Sequence, residues 1–207
     1  MNSLREIIRE NKIVSILRGI EKEKVIKLVE VLKEEGIKIF EITLNTKDCF
    51  EIYSEIKEKF GKEIYLGLGT VNTLDECKKA HKLGVDFFLT PALNEDVLKY
   101  SVENNINILP GVFTPTDMLK CLSYGIETLK LFPAADLPLS YVKNVKGPLD
   151  NIELVAVGGV DEHNLSDFLK AGYIGAGIGS SLADKELIKN SDWDGLRIKA
   201  KKFTSVL

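Results

Sequence analysis

The stretch Lys24-Val25-Ile26-Lys27-Leu28-Val29-Glu30-Val31-Leu32-Lys33-Glu34-Glu35-Gly36-Ile37-Lys38-Ile39-Phe40-Glu41-Ile42-Thr43 sets two periods side by side. In its first part Val25, Leu28, Val29 and Leu32 recur at steps of three and four, which places them on one face of a helix over Lys24 to Glu35. Its second part, Ile37 to Thr43, is a short run rich in β-branched residues and predicts a strand. Similar runs stand at Ile13 to Leu17, Ile64 to Leu68, Asp86 to Thr90, Ile106 to Leu109, Thr128 to Phe132, Glu153 to Val157 and Tyr173 to Ile178, which makes eight candidate strands. Helical patterns fill the intervals, among them Asp75 to Leu83 behind a Thr73 cap. Because the strands read as apolar runs rather than half-polar alternations, both faces must be buried. That is the mark of a parallel sheet covered by helices.

Eight such units fit the 207 residues, since a closed (β/α)8 barrel, the TIM-barrel architecture, takes about 200 to 250. The α/β chain therefore reads as one barrel domain over residues 1–207. A short amphipathic helix carrying Leu4, Ile7 and Ile8 precedes it, and Trp193 to Leu207 forms its last helix. The alternative is a doubly wound open sheet, which usually carries GxGxxG at its first turn, where this chain has Leu17-Arg18-Gly19-Ile20. With 28 Lys+Arg against 31 Asp+Glu, the net charge of -3 offers no basic footprint for nucleic acid or an anionic membrane. Cys49, Cys77 and Cys121 are too far apart for a CxxC pair and read as reduced structural thiols. The longest uncharged stretches, Asn104 to Thr116 and Ala171 to Ala183, are too short and broken to span a bilayer, and the N-terminus lacks the apolar segment of a signal peptide. A cytoplasmic protein is expected.

In such a barrel the active site lies at the C-terminal ends of the strands. Two ionisable residues sit late in strands among apolar neighbours: Glu41 in Ile39-Phe40-Glu41-Ile42-Thr43 and Lys130 in Leu129-Lys130-Leu131-Phe132-Pro133. Period two sets Glu41 on the face of Ile37 and Ile39, and Lys130 on that of Thr128 and Phe132, so both can enter the barrel. A lysine there loses solvation as a cation, becomes a nucleophilic amine, and can form a Schiff base. The other reading is a buried Lys130–Glu41 ion pair that only fills the barrel. Gly158-Gly159 after the seventh strand and Gly175-Ala176-Gly177-Ile178-Gly179-Ser180-Ser181 through the eighth stand where barrels bind phosphate by backbone N–H groups, although glycines also serve tight turns there. His81 and His163 fall in helical patterns and receive no role. No His/Asp/Glu set has metal-ligand spacing, and Ser180 and Ser181 lack the context of a serine nucleophile.

The chain resembles the class I 2-dehydro-3-deoxy-6-phosphogluconate and 4-hydroxy-2-oxoglutarate aldolase family from about Ile13 to Leu182. The resemblance is carried by Glu41-Ile42-Thr43-Leu44, Gly67-Leu68-Gly69-Thr70-Val71, Thr90-Pro91, Leu109-Pro110-Gly111-Val112, Leu129-Lys130-Leu131-Phe132-Pro133-Ala134, Val157-Gly158-Gly159-Val160 and Gly177-Ile178-Gly179-Ser180. It implies that Lys130 is the Schiff-base lysine, Glu41 the general acid/base, Thr70 a contact to the pyruvate carboxylate, and Gly158, Gly159, Gly179 and Ser180 the phosphate site. It also implies a phosphorylated 2-keto-3-deoxy sugar acid as substrate, pyruvate as product, no metal or organic cofactor, and a homotrimer. Where many members carry an arginine four residues after the glutamate, this chain has Asn45, so Arg18 is expected to supply the carboxylate's counter-charge. Leu17-Arg18-Gly19-Ile20 with Leu44-Asn45 resembles the branch acting on the C4 epimer, 2-dehydro-3-deoxy-6-phosphogalactonate. Val157, where gluconate-type members usually carry threonine, points the same way as an epimer-selecting position. The competing readings are a phosphosugar isomerase or epimerase of the same fold, which has no need of a lysine nucleophile, and a catalytically silent sugar-phosphate binder.

Overall fold

The computed structural model describes residues 3–207; Met1 and Asn2, at the start of the expected N-terminal segment, lie outside the described residues. The strands are β1 (Ile13–Leu17), β2 (Ile39–Thr43), β3 (Tyr65–Gly69), β4 (Phe87–Leu89), β5 in two pieces (Ile108–Leu109 and Gly111–Val112), β6 (Thr128–Leu131), β7 (Glu153–Val157) and β8 (Gly175–Ile178). All pairings are parallel and run, piece by piece, β5-β4-β3-β2-β1-β8-β7-β6-β5. The ladder therefore begins and ends on the two halves of one strand, and the sheet closes into the expected barrel. The break falls at Pro110, which has no N–H to donate. Its carbonyl instead accepts the backbone N–H of Lys130 at 2.9 Å, while Gly111 N–H turns to the Thr90 hydroxyl at 3.0 Å.

The helices are α1 (Leu4–Asn11), α2 (Lys22–Glu34), α3 (Cys49–Phe60), α4 (Leu74–His81), α5 (Glu95–Glu103), α6 (Pro115–Ser123), α7 (Ser140–Lys146), α8 (Leu165–Ala171), α9 (Lys185–Lys189) and α10 (Trp193–Thr204). Helix α2 buries Val25, Leu28, Val29 and Leu32, the face its period predicts, and starts two residues earlier than expected. The Thr73 cap of α4 is a full capping box with Glu76, in which side chain and backbone satisfy each other's end groups.

Each strand sends one set of side chains outward and one inward, and both are largely apolar, with Glu41 and Lys130 the charged residues in the middle of their strands. Outside, Ile13, Leu17, Phe40, Ile42, Leu66, Leu68, Leu129 and Leu131 pack under the helices. Inside, Val14, Ile16, Ile39, Phe87, Leu89, Leu109, Val155 and Val157 form a separate cluster joined by Leu4, Ile7 and Ile8 of α1. Helix α1 thus plugs the N-terminal end of the barrel, held also by Arg5 and Arg9 on Glu153 at 3.0 and 2.6 Å. One expectation is corrected here. Ile37 does not share the inward face of Glu41, because β2 begins only at Ile39 and the turn before it rotates Ile37 into the outer layer.

The plug generates a stability prediction. Ile8 is fully buried beneath the lumen, so Ile8→Ala should cost about 2 to 5 kcal/mol through lost transfer energy and the cavity left behind. Urea unfolding checks it; a loss below about 0.5 kcal/mol would mean that α1 is no part of the core.

Candidate active site

Glu41 and Lys130 come from opposite arcs of the barrel and meet near its upper end. The parallel register aligns Ile16, Glu41 and Gly67 on one side and Gly111, Lys130 and Val155 on the other. Glu41 is 1% exposed and Lys130 5% exposed. Room for the carboxylate comes from Gly69 on the next strand, where an added Cβ would collide with Glu41 Oε1. The Lys130 ammonium nitrogen lies 5.2 Å from the Phe132 ring centroid.

The electrostatics argue against a filler ion pair. Among the described residues Lys130 and Glu41 form no ion pair within 4.0 Å, and Glu41 Oε2 is buried with no hydrogen-bond partner. Burial drives the Glu41 carboxyl above its ordinary range, against the pull of Lys130 and Arg18. Burial likewise drives Lys130 below the usual lysine value; Glu41 opposes that shift and the Arg18 cation adds to it. Both shifts favour the neutral forms: an amine able to attack a carbonyl beside a carboxyl able to give or take a proton.

Above them opens a cavity of about 550 Å³ at the C-terminal ends of the strands. Arg18, Thr70, Lys130, Val157, Gly158, Gly159, Gly179 and Ser180 all line it, so the expected carboxylate, phosphate and epimer positions share one space. Glu41 does not reach the lining and sits in the floor beneath. Arg18 is exposed at the mouth and forms no ion pair within 4.0 Å among the described residues, so no rim salt bridge occupies its guanidinium. Thr70 holds φ +60° directly after β3, a left-handed conformation that costs a residue with a Cβ about 1 to 3 kcal/mol and is characteristic of functional sites.

The glycine turn after β7 is shaped by its neighbours. Gly158 and Gly159 take φ +92° and +75°, which a side chain resists. Asp161 Oδ1 accepts the backbone N–H groups of His163 and Asn164 at 2.8 and 3.1 Å, and Asn164 Nδ2 donates to Gly159 O at 2.8 Å. Ser181 Oγ donates to Val160 O at 2.7 Å, so Ser181 ties the two loops together while Ser180 faces the cavity. His163 lends only its backbone to this turn, and His81 pairs with Tyr100 Oη at 2.9 Å on the outer helices. Among the described residues no group of three or more His, Cys, Asp or Glu could hold a metal ion. Two charged residues of the cavity lining escaped the reading of the sequence: Asp161, legible only as a turn former, and Lys185, whose one signal was its place shortly after Gly179-Ser180.

A family model of the KDPG and KHG aldolases matches residues 4–199. The chain belongs to that family. A 2-dehydro-3-deoxy-phosphogluconate aldolase of Haemophilus influenzae is 30% identical over 91% of this chain and 89% of its own. A 2-dehydro-3-deoxy-6-phosphogalactonate aldolase of Escherichia coli K12 is also 30% identical, over 82% of this chain and 83% of its own. A solved native KDPGal structure superposes with a TM-score of 0.86 at 28% identity, covering 94% of this chain and 93% of that one. These likenesses support the aldolase, a carbon–carbon lyase, and not the isomerase or the silent binder.

Arg18 gives the site a testable pH dependence. Its cation helps keep Lys130 neutral, so Arg18→Gln should raise the Lys130 pKa and move the acid limb of its reactivity to higher pH. Reaction of Lys130 with an uncharged acylating reagent, followed by mass spectrometry across pH, separates this effect from substrate binding. A limb that stays put, or moves to lower pH, contradicts the assignment.

Proposed function

We propose that the chain is a class I aldolase cleaving 2-dehydro-3-deoxy-6-phosphogluconate, its galactonate epimer, or both, to pyruvate and glyceraldehyde 3-phosphate. The observation that carries this reading is Lys130: buried, unpaired, held toward the neutral amine, and open to a cavity with room for a sugar acid. Its lone pair adds to the C2 ketone, and loss of water leaves an iminium. That cation draws the electron pair of the C3–C4 bond as the bond breaks, which lowers the barrier to cleavage. Glu41, protonated at the start and acting through a water, gives the proton with which the carbinolamine oxygen leaves as water, and the carboxylate so formed takes the C4 hydroxyl proton as the aldehyde leaves. The enamine is then protonated at C3, and hydrolysis of the imine releases pyruvate and restores the amine. Arg18 and Thr70 hold the substrate carboxylate, and Gly158, Gly159, Gly179 and Ser180 the phosphate. No metal or organic cofactor enters this scheme. 4-Hydroxy-2-oxoglutarate is a further candidate substrate. Resemblance to the family also supports a homotrimer, and the three free, buried cysteines support a cytoplasmic location; among the described residues no helix is long and apolar enough to cross a membrane.

Pyruvate with borohydride should add a stable mass at Lys130, and Lys130→Met should abolish it, because only an imine is reduced to a permanent amine link. An active wild-type protein that traps nothing, or traps elsewhere, would remove the mechanism. Glu41→Gln should lower turnover by roughly 10² to 10⁴, the range for a lost general acid/base; unchanged turnover would return Glu41 to a packing role.

Epimer choice is proposed to rest on Val157, which borders the cavity beside the glycine turn. Valine lacks the hydroxyl with which a threonine could bond an oxygen near C4, a difference of about 0.5 to 1.5 kcal/mol. Both epimers, or the galactonate form by preference, should therefore be cleaved, and Val157→Thr should shift the ratio of kcat/KM toward gluconate. A wild-type gluconate preference above about a hundredfold, untouched by the substitution, would exceed what one neutral hydrogen bond supplies and count against Val157.

A further inference from the structure

We infer that Lys185 is the counter-charge for the phosphoryl end of the substrate and selects phosphorylated over unphosphorylated aldehydes, an assignment that rests on the aldolase reading above. The charged residues lining the cavity are Arg18, Lys130, Asp161 and Lys185. Lys130 is committed to the C2 carbon, Arg18 to the carboxylate, and Asp161 Oδ1 is occupied by two backbone N–H groups. The glycine turns contribute only neutral donors. A phosphate ester carries about -1.5 to -2 charges at neutral pH, and among the described residues Lys185 is the one remaining cation in the lining to meet it.

Its position suits the task. Lys185 follows Ser180 along the chain, and its Nζ lies 3.9 Å from the point where a Cβ on Gly19 would sit. The ammonium therefore reaches from α9 to the turn after β1, the strand paired with β8, so that it lines the cavity between the Gly179-Ser180 loop and the turn that carries Arg18. Helix α9 is anchored at both ends. Asp184 Oδ1 accepts Glu186 and Leu187 N–H at 3.0 and 3.2 Å while its Oδ2 pairs with Lys199 at 2.8 Å. At the far end Lys24 Nζ donates to the carbonyls of Ile188 and Lys189. The lysines around it are thus occupied, whereas Lys185 forms no ion pair within 4.0 Å among the described residues. An ammonium with three donors on a flexible stem serves as a point charge for phosphate, where Arg18, a planar fork, matches a carboxylate.

The test is the aldol addition of pyruvate to glyceraldehyde 3-phosphate and, separately, to glyceraldehyde. In Lys185→Gln the ratio of kcat/KM for the phosphorylated over the unphosphorylated aldehyde should fall about tenfold or more, the size of one lost charge-assisted hydrogen bond, through a higher KM for the phosphorylated acceptor. Lys185→Arg should restore most of the ratio, and inorganic phosphate should compete with glyceraldehyde 3-phosphate more weakly in the Gln variant than in the wild type. An unchanged ratio, or an equal loss for both acceptors that arginine does not rescue, overturns the assignment. Borohydride trapping of pyruvate on wild-type Lys130 keeps the two readings apart: its failure sinks the aldolase, whereas trapping with an unchanged ratio sinks only Lys185.

Discussion

Keeping an amine inside an apolar barrel is the constraint on which the rest of the molecule depends. Burying a charge costs several kcal/mol even after relaxation, and a close partner returns only part of it. Here the close partner is withheld: Lys130 and Glu41 share the lumen without pairing, and one oxygen of Glu41 is left without a hydrogen bond. The chain meets the cost by holding both groups toward neutrality, which is also the state in which they can react. The stability forgone there must come from elsewhere, from the aliphatic layers on both faces of the sheet and from the α1 plug that shuts water out below.

Charge is graded along the axis of the barrel. The lower lumen is lined by apolar side chains, above them burial holds Glu41 and Lys130 toward their neutral forms, and at the mouth Arg18 and Lys185 are exposed and, among the described residues, form no ion pair within 4.0 Å. In the proposed reaction the anionic groups of the substrate meet these cations at the rim, and its reacting carbon reaches Lys130 deeper in the lumen, where local electrostatics are stronger. The backbone of the rim is held by polar ties, so its turns keep their shape before a ligand arrives. Gly19 N–H donates to Thr46 Oγ1 at 3.0 Å, which meets Thr43 Oγ1 at 3.0 Å. On the far side, Asp161, Asn164 and Ser181 bind the glycine turn.

Most of the architecture was legible in the chain because periodicity is local. The β-branched runs at Ile13 to Leu17 and Glu153 to Val157 match β1 and β7 residue for residue, and the Thr73 cap and the buried face of α2 follow from spacing alone. Runs whose ends lie in turns were read less well. Ile37 belongs to the outer layer, and the run ending at Leu109 continues past Pro110, because a proline that interrupts a ladder hides the strand's second half.

By itself, then, the sequence determined the alternation of strand and helix, the inward faces of Glu41 and Lys130, and the glycines at the ends of the seventh and eighth strands. Each is written within a few residues of itself. Only the tertiary structure decided that Glu41 and Lys130 stay unpaired, that α1 seals the floor, and that Lys185 joins Arg18 at the mouth. Those facts depend on strand register, on where the sheet closes, and on how far a side chain reaches across the lumen. A period assigns a residue to a face, but the distance between two faces is set only once the barrel has closed.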